Sequence, residues 1–169
     1  NPGPRRLEGR LQVTLPEAAS ISRLALQIGD RYQEGELVAQ PRAVEAYEEA
    51  LHGRRDPALL EAEAANQYRM RIFPIEPHSK KRITLRYTQL LKSDSGLVSY
   101  VYPLNTEKFS AKPIKSVSVK VELESKQPLK SIYSPSHSVE IKRHGPNRAT
   151  VGFETSDAKP DTDFALYFA

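Results

Sequence analysis

The sequence predicts a mainly β protein: an antiparallel β-sandwich with one α-helix inserted at about residues 41–52. Three observations carry this. Apolar and polar residues alternate with period two over most of the 169 residues, the pattern of strands that bury one face. Turn residues recur between these short runs, as they do in sandwiches. Only the stretch from Val38 to Gly53 abandons alternation, and there the apolar spacing becomes helical.

The elements follow in order. Leu7, Gly9, Leu11, Val13 and Leu15 fall on one side of a first strand, with Glu8, Arg10, Gln12 and Thr14 on the other, and Pro16 ends it. Ile21 to Ile28 reads as a second strand with Leu24, Leu26 and Ile28 inward, closed by the turn Gly29-Asp30. In the helix, Pro41 suits the first turn, where its missing N–H has no intrahelical partner. Ala43, Val44, Tyr47, Ala50 and Leu51 form its apolar face. Val44, Tyr47 and Leu51 are the candidate docking residues, because so short a helix needs packing to be stable. Gly53 is placed to cap the helix in a left-handed conformation.

After Asp56–Glu61 come two alternating runs. Tyr68, Met70 and Ile72 oppose Gln67, Arg69, Arg71 and Phe73, and Ile83, Leu85 and Tyr87 oppose Arg82, Thr84, Arg86 and Thr88. The short connection through Pro74, Pro77, His78 and Ser79 predicts that they pair as an antiparallel hairpin. Ser93-Asp94-Ser95-Gly96 reads as a turn. Further strands are predicted at Val98–Tyr102, Val117–Leu123, Leu129–Tyr133, Val139–Lys142, Ala149–Phe153 and Phe164–Phe168. No linker or repeat splits the chain, so residues 1–169 read as one domain, with Phe109 to Pro113 its softest point.

Composition narrows the function classes. The chain lacks cysteine, which excludes disulfides, thiolate zinc sites and a cysteine nucleophile and leaves the compartment undetermined. No apolar run is long enough for a transmembrane helix. The first residue is Asn1, so the sequence reads as a piece of a longer protein. A net charge of +4 is compatible with ordinary solubility, and no Lys/Arg run is longer than three.

Catalytic and metal-binding signatures are missing. His52, His78, His137 and His144 lack ligand spacing, and no cofactor motif occurs among the eight glycines, so no metal, cofactor or catalytic residue is expected and the chain reads as a non-enzyme. Asp94-Ser95-Gly96 fails the spacing of a metal-dependent adhesion site because Gly96 stands where a serine is needed. The predicted hairpin does bring Arg69, Arg71, Arg82 and Arg86 to one face, with Lys80 and Lys81 at its edge. Three readings stand. The arginines are solvated or pair internally, for instance with Glu61 or Glu63, or they meet a protein or anionic partner such as an acidic glycan, or they bind nucleic acid. The last lacks the interleaved aromatics of a base-stacking platform, and nucleic acid is not an expected partner.

The block Leu15-Pro16, Tyr47-Glu48-Glu49-Ala50, Ala58-Leu59-Leu60-Glu61, Asn66, Tyr68, Ile75, Pro77, Ile83, Leu85, Tyr87 and Leu90-Leu91 resembles the vault protein inter-alpha-trypsin (VIT) domain family. Asp163–Tyr167 resembles its last strand, so the likeness spans nearly the whole chain, with Phe109 to Pro160 matching only as generic β structure. The chain departs from the family at Arg54-Arg55-Asp56-Pro57-Ala58, where Gly-Lys-x-Ala is usual, and at Tyr68, where phenylalanine is usual. The resemblance implies a non-catalytic structural or protein-interaction module. Such modules sit beside von Willebrand factor A-type domains in secreted or surface proteins, and also in an intracellular vault-associated enzyme. The implied partner is an adjacent domain of the same chain or another protein, and the resemblance favours a secreted, periplasmic or cell-surface setting without fixing the compartment. It further implies that the family's first strand precedes Asn1, which predicts an exposed sheet edge near the N-terminus or a gap filled some other way.

Overall fold

The computed structural model describes residues 1–35, 40–53, 57–64, 66–105 and 112–169, with backbone only for Gln40, Glu63 and Ala64. The expectations for Val38, for Arg54 to Asp56 and for most of Phe109 to Pro113 lie outside the described residues, as does the side chain of Glu63. Among the described residues the fold is mainly β with antiparallel sheets and one short helix, as the alternation predicts. It divides into two compact units, Asn1–Leu90 and Leu91–Ala169.

The first unit holds two three-stranded sheets. In one, β5 (Gln67–Ile75) lies between β1 (Leu7–Thr14) and β4 (Ala58–Ala64). In the other, β2 (Ser20–Ile28) lies between β3 (Arg31–Glu34) and β6 (Ile83–Thr88). Their inner faces share one core. Met70 and Ile72 of β5 meet Leu26 of β2, with Leu24, Ile28, Ala58, Leu60 and Ile83 packed around them. Met70 is 1% exposed and Leu26 5%. Burial of apolar surface on this scale is the main favourable term in folding.

The predicted β5–β6 hairpin does not form. Both edges of β5 are occupied, by β1 from Leu7↔Ile75 to Thr14↔Gln67 and by β4 from Ala58↔Ile72 to Ala64↔Gln67. No edge remains for β6, which pairs with β2 instead, from Leu26↔Ile83 to Ser20↔Thr88. Residues 76–82 therefore carry the chain from one sheet to the other.

The outer edge of β1 is unpaired among the described residues, and Leu7 and Leu11 are each 49% exposed there. Asn66 closes the opposite end of β1. Its side-chain amide donates to Leu15 O at 3.1 Å, and Leu15 N donates to Asn66 O at 2.9 Å.

Helix α1 spans Gln40–His52. Ala43, Val44, Ala50 and Leu51 are half-buried and Tyr47 is buried, whereas Glu45, Glu48 and Glu49 are exposed. The helix ends without the expected left-handed cap. Gly53 N donates to Glu49 O at 2.9 Å in one further turn, and its φ lies outside the left-handed region. The exposed His52 places Nδ1 2.7 Å from Glu48 O, a side-chain contact with a carbonyl of the last turn.

The second unit is built the same way. Strands β7 (Ser93–Asp94), β8 (Leu97–Tyr102), β10 (Ile132–Tyr133) and β13 (Phe164–Phe168) form a sheet in the order β10-β13-β8-β7. Strands β9 (Ile114–Glu124), β11 (Glu140–Arg143) and β12 (Arg148–Ala158) form another in the order β11-β12-β9. Val151, Phe164 and Leu166 are fully buried between them, and the alternating Val117, Val119, Val121 and Leu123 pack onto that core. Ser95 and Gly96, at φ 52° and 87°, make the tight turn between β7 and β8, since two positive φ values suit the twist of a two-residue hairpin.

The position of Met70 gives a test. Met70→Ala should destabilise the first unit by about 2–5 kcal/mol through lost burial and a residual cavity. Gln67→Ala, three residues away on the exposed face, should change stability by less than about 0.5 kcal/mol. Urea denaturation of the whole chain reads both.

Candidate functional site

The four arginines of the sequence reading do not share one surface. Inner and outer residues alternate along β5, so with Met70 and Ile72 in the core, Arg69 and Arg71 point to the outer side of their sheet. Ile83 packs into the same core from the other sheet, which puts Arg86 on that sheet's outer side. Two sheets that share a core direct their outer faces apart. Arg82 belongs to neither face: it precedes β6 in the connection between the sheets.

Helix α1 lies against β4, on the outer side of the β1-β5-β4 sheet. The Arg71 guanidinium carbon sits 4.7 Å from the centroid of the Tyr47 ring, a cation–π contact. Glu61 Oε2 is 3.8 Å from Arg71 Nε and Glu48 Oε1 is 3.9 Å from a terminal nitrogen, so both carboxylates attract it at distances too long for hydrogen bonds. The Arg71 side chain is 22% exposed. This arginine is engaged by the helix, by Tyr47 and by two acidic residues, and it pins α1 to the sheet. Leu59, directly opposite Arg71 on β4, is 5% exposed on the same face.

Tyr47 is 3% exposed and its hydroxyl has no hydrogen-bond partner among the described residues. Burial raises its pKa above the ordinary tyrosine value, the negative charge of Glu8 adds to this, and Arg71 opposes it. Val44 and Leu51, the other two predicted docking residues, are half-buried on the same helix face.

Arg69 is exposed opposite Gln12 of β1 and Glu61 of β4. On the other sheet, Arg86 stands opposite Arg23, whose Nε donates to both carboxylate oxygens of Glu34 at 2.9 Å, with a terminal nitrogen also bonded to that carboxylate. The Arg23 hydrogen bonds lower the Glu34 pKa, and Arg86 lowers it further through its charge. Arg86 thus adds a second positive charge near the Glu34 carboxylate.

The connection between the sheets shapes a cleft of about 760 Å³. Gln27, Ile28, Lys80, Lys81, Arg82 and Ile83 line it. Two hydrogen bonds hold the lining: Gln27 N donates to Arg82 O at 2.9 Å, backbone to backbone, and the Ser79 side chain donates through Oγ to Glu76 O at 2.7 Å. The sequence signal for this cleft is the run Lys80-Lys81-Arg82, the chain's longest stretch of consecutive cations. The sequence reading placed Lys80 and Lys81 at the edge of a hairpin and Arg82 on its face, and the cleft emerges only once β5 and β6 fall in different sheets.

Among the described residues, no group of three or more His, Cys, Asp or Glu side chains could hold a metal ion, and no helix is long and apolar enough to cross a membrane. Residues 1–87 match the family model of the vault protein inter-alpha-trypsin domain, VIT. The match falls within the first unit, so the likeness read across the later strands is not part of it. No curated protein matches the chain.

Two outcomes follow from Tyr47. Its hydroxyl makes no hydrogen bond among the described residues, so Tyr47→Phe should leave stability within about 0.5 kcal/mol of the parent, whereas Tyr47→Ala should cost about 3–5 kcal/mol, by denaturant unfolding. The raised pKa sets a pH dependence. The unfolded chain ionises this phenol first, so its contribution is intact below the ordinary tyrosine pKa and is lost as pH rises through the folded value. Stability measured from pH 8 to 11 should therefore fall less steeply in Tyr47→Phe than in the parent. Tyr102, whose pKa burial also raises, should keep part of the slope in both.

Proposed function

Because the chain belongs to the VIT domain family, a family of non-catalytic modules, we propose that it is a structural and protein-interaction module of a larger multidomain protein. In this reading it packs against, or presents, an adjacent von Willebrand factor A-type domain. The observation that carries the reading is the family match over residues 1–87, which nearly coincides with the compact unit Asn1–Leu90. The reading takes residues 1–169 as one module, with the second unit as its continuation. The resemblance to modules of secreted and surface proteins supports an extracytoplasmic setting.

The geometry of the first unit suits this role. Its helix is fastened to the sheet by Tyr47 and Arg71, so the exposed Glu45, Glu48 and Glu49 are carried on a fixed support. A rigid surface of this kind loses little entropy when a neighbour docks.

The test compares this chain alone with the chain extended through its downstream domain. The longer protein should show a higher unfolding midpoint for the module and slower proteolysis within residues 1–169. Equal midpoints and equal cleavage rates would refute packing against a neighbour.

A further inference from the structure

We propose that the cleft at the β5–β6 connection binds a small organic molecule carrying a phosphate or sulfate ester. Its volume of about 760 Å³ lies inside the range of roughly 300–1,000 Å³ typical of small-molecule sites. Its walls combine two chemistries. Ile28 and Ile83 supply apolar surface for a carbon skeleton, and Lys80, Lys81 and Arg82 supply positive charge. A tetrahedral oxyanion offers several acceptor oxygens at one point. The planar guanidinium of Arg82 can donate two parallel N–H bonds to such a group, and the Lys80 ammonium adds a mobile point charge.

The side chains needed are available. Lys80 and Arg82 are exposed, and neither is held by a carboxylate among the described residues. The acidic residue lining the cleft, Glu76, receives a hydrogen bond of 2.9 Å from Arg6 Nε, which offsets its repulsion of an anion. The backbone beneath is fixed in advance. Besides the Gln27 and Ser79 bonds, the Asn1 side-chain amide donates to Ile75 O at 2.8 Å and to Glu76 O at 3.0 Å. A site whose loop is already ordered pays little to receive its ligand. The inference is independent of the module reading, since it rests on residues of the first unit, between Asn1 and Ile83, and on no neighbouring domain.

Titration of the whole 169-residue chain with glucose 6-phosphate, glucose 6-sulfate and glucose, followed by backbone amide NMR shifts, tests it. At least one ester should give saturable shifts at Gln27–Gly29 and Ser79–Ile83, weakened by added salt, and glucose should give none. The ester that binds more tightly identifies the source of the oxyanion. Lys80→Ala with Arg82→Ala should reduce affinity about tenfold or more, the scale of losing charged hydrogen bonds. Both side chains are exposed and the Gln27 bond to Arg82 is made to its backbone carbonyl, so the double variant should keep the parent's circular dichroism. Lys126→Ala, exposed in the second unit, should bind like the parent. The proposal fails if neither ester exceeds glucose, or if the double variant binds as tightly as Lys126→Ala.

Discussion

The first unit depends on β5. This strand has a partner on each edge and a different chemistry on each face. Met70 and Ile72 enter the core with Leu26, while Arg71 supports the helix on the other side. A strand flanked by β1 and β4 has its backbone groups satisfied in both directions. Its register therefore decides three things together: which apolar residues are buried, where α1 docks, and that β6 must seek another sheet. A slip of one residue would exchange the faces, placing arginines in the core and methionine under the helix.

The Arg71 contact shows how a charged residue can serve packing. A guanidinium stacked on an aromatic ring contributes about 0.5–2 kcal/mol, depending on how dry the contact is. Glu48 and Glu61 add attraction without hydrogen bonds. Since Glu48 comes from the helix and Glu61 from β4, the arginine links three elements through one side chain. That arrangement explains why a helix of only thirteen residues, too short to persist alone, holds its place.

Much of this was legible in the sequence because period and burial are directly linked. The β2, β5, β6, β9 and β13 runs alternate, and their inward residues are those the alternation selects, whereas in β1 the selected Leu7 and Leu11 stay half exposed. The helix face from Ala43 to Leu51 was equally readable. Strand β3 was not, because Arg31-Tyr32-Gln33-Glu34 is exposed at every position and carries no alternation. Nor was pairing. Period two states which residues share a face and is silent about which strand lies alongside, and a short connection favoured a hairpin that the occupied edges of β5 forbid. The arginine cluster failed for that reason, and the cleft at Lys80–Arg82 stayed hidden with it.

The two edges of the β1-β5-β4 sheet differ in the company they keep. Helix α1 packs on the outer face beside β4, whereas β1 has Leu7 and Leu11 half uncovered and an outer edge unpaired among the described residues. Stability within the sheet is therefore graded. Amide protons at the centre, on β5, are released only when the sheet opens, while those on the free side of β1 exchange without it. The unit's outer strands thus loosen before its centre, and among the described residues the free edges of β1 and β4 carry the spare hydrogen-bonding groups that could recruit another chain to this sheet.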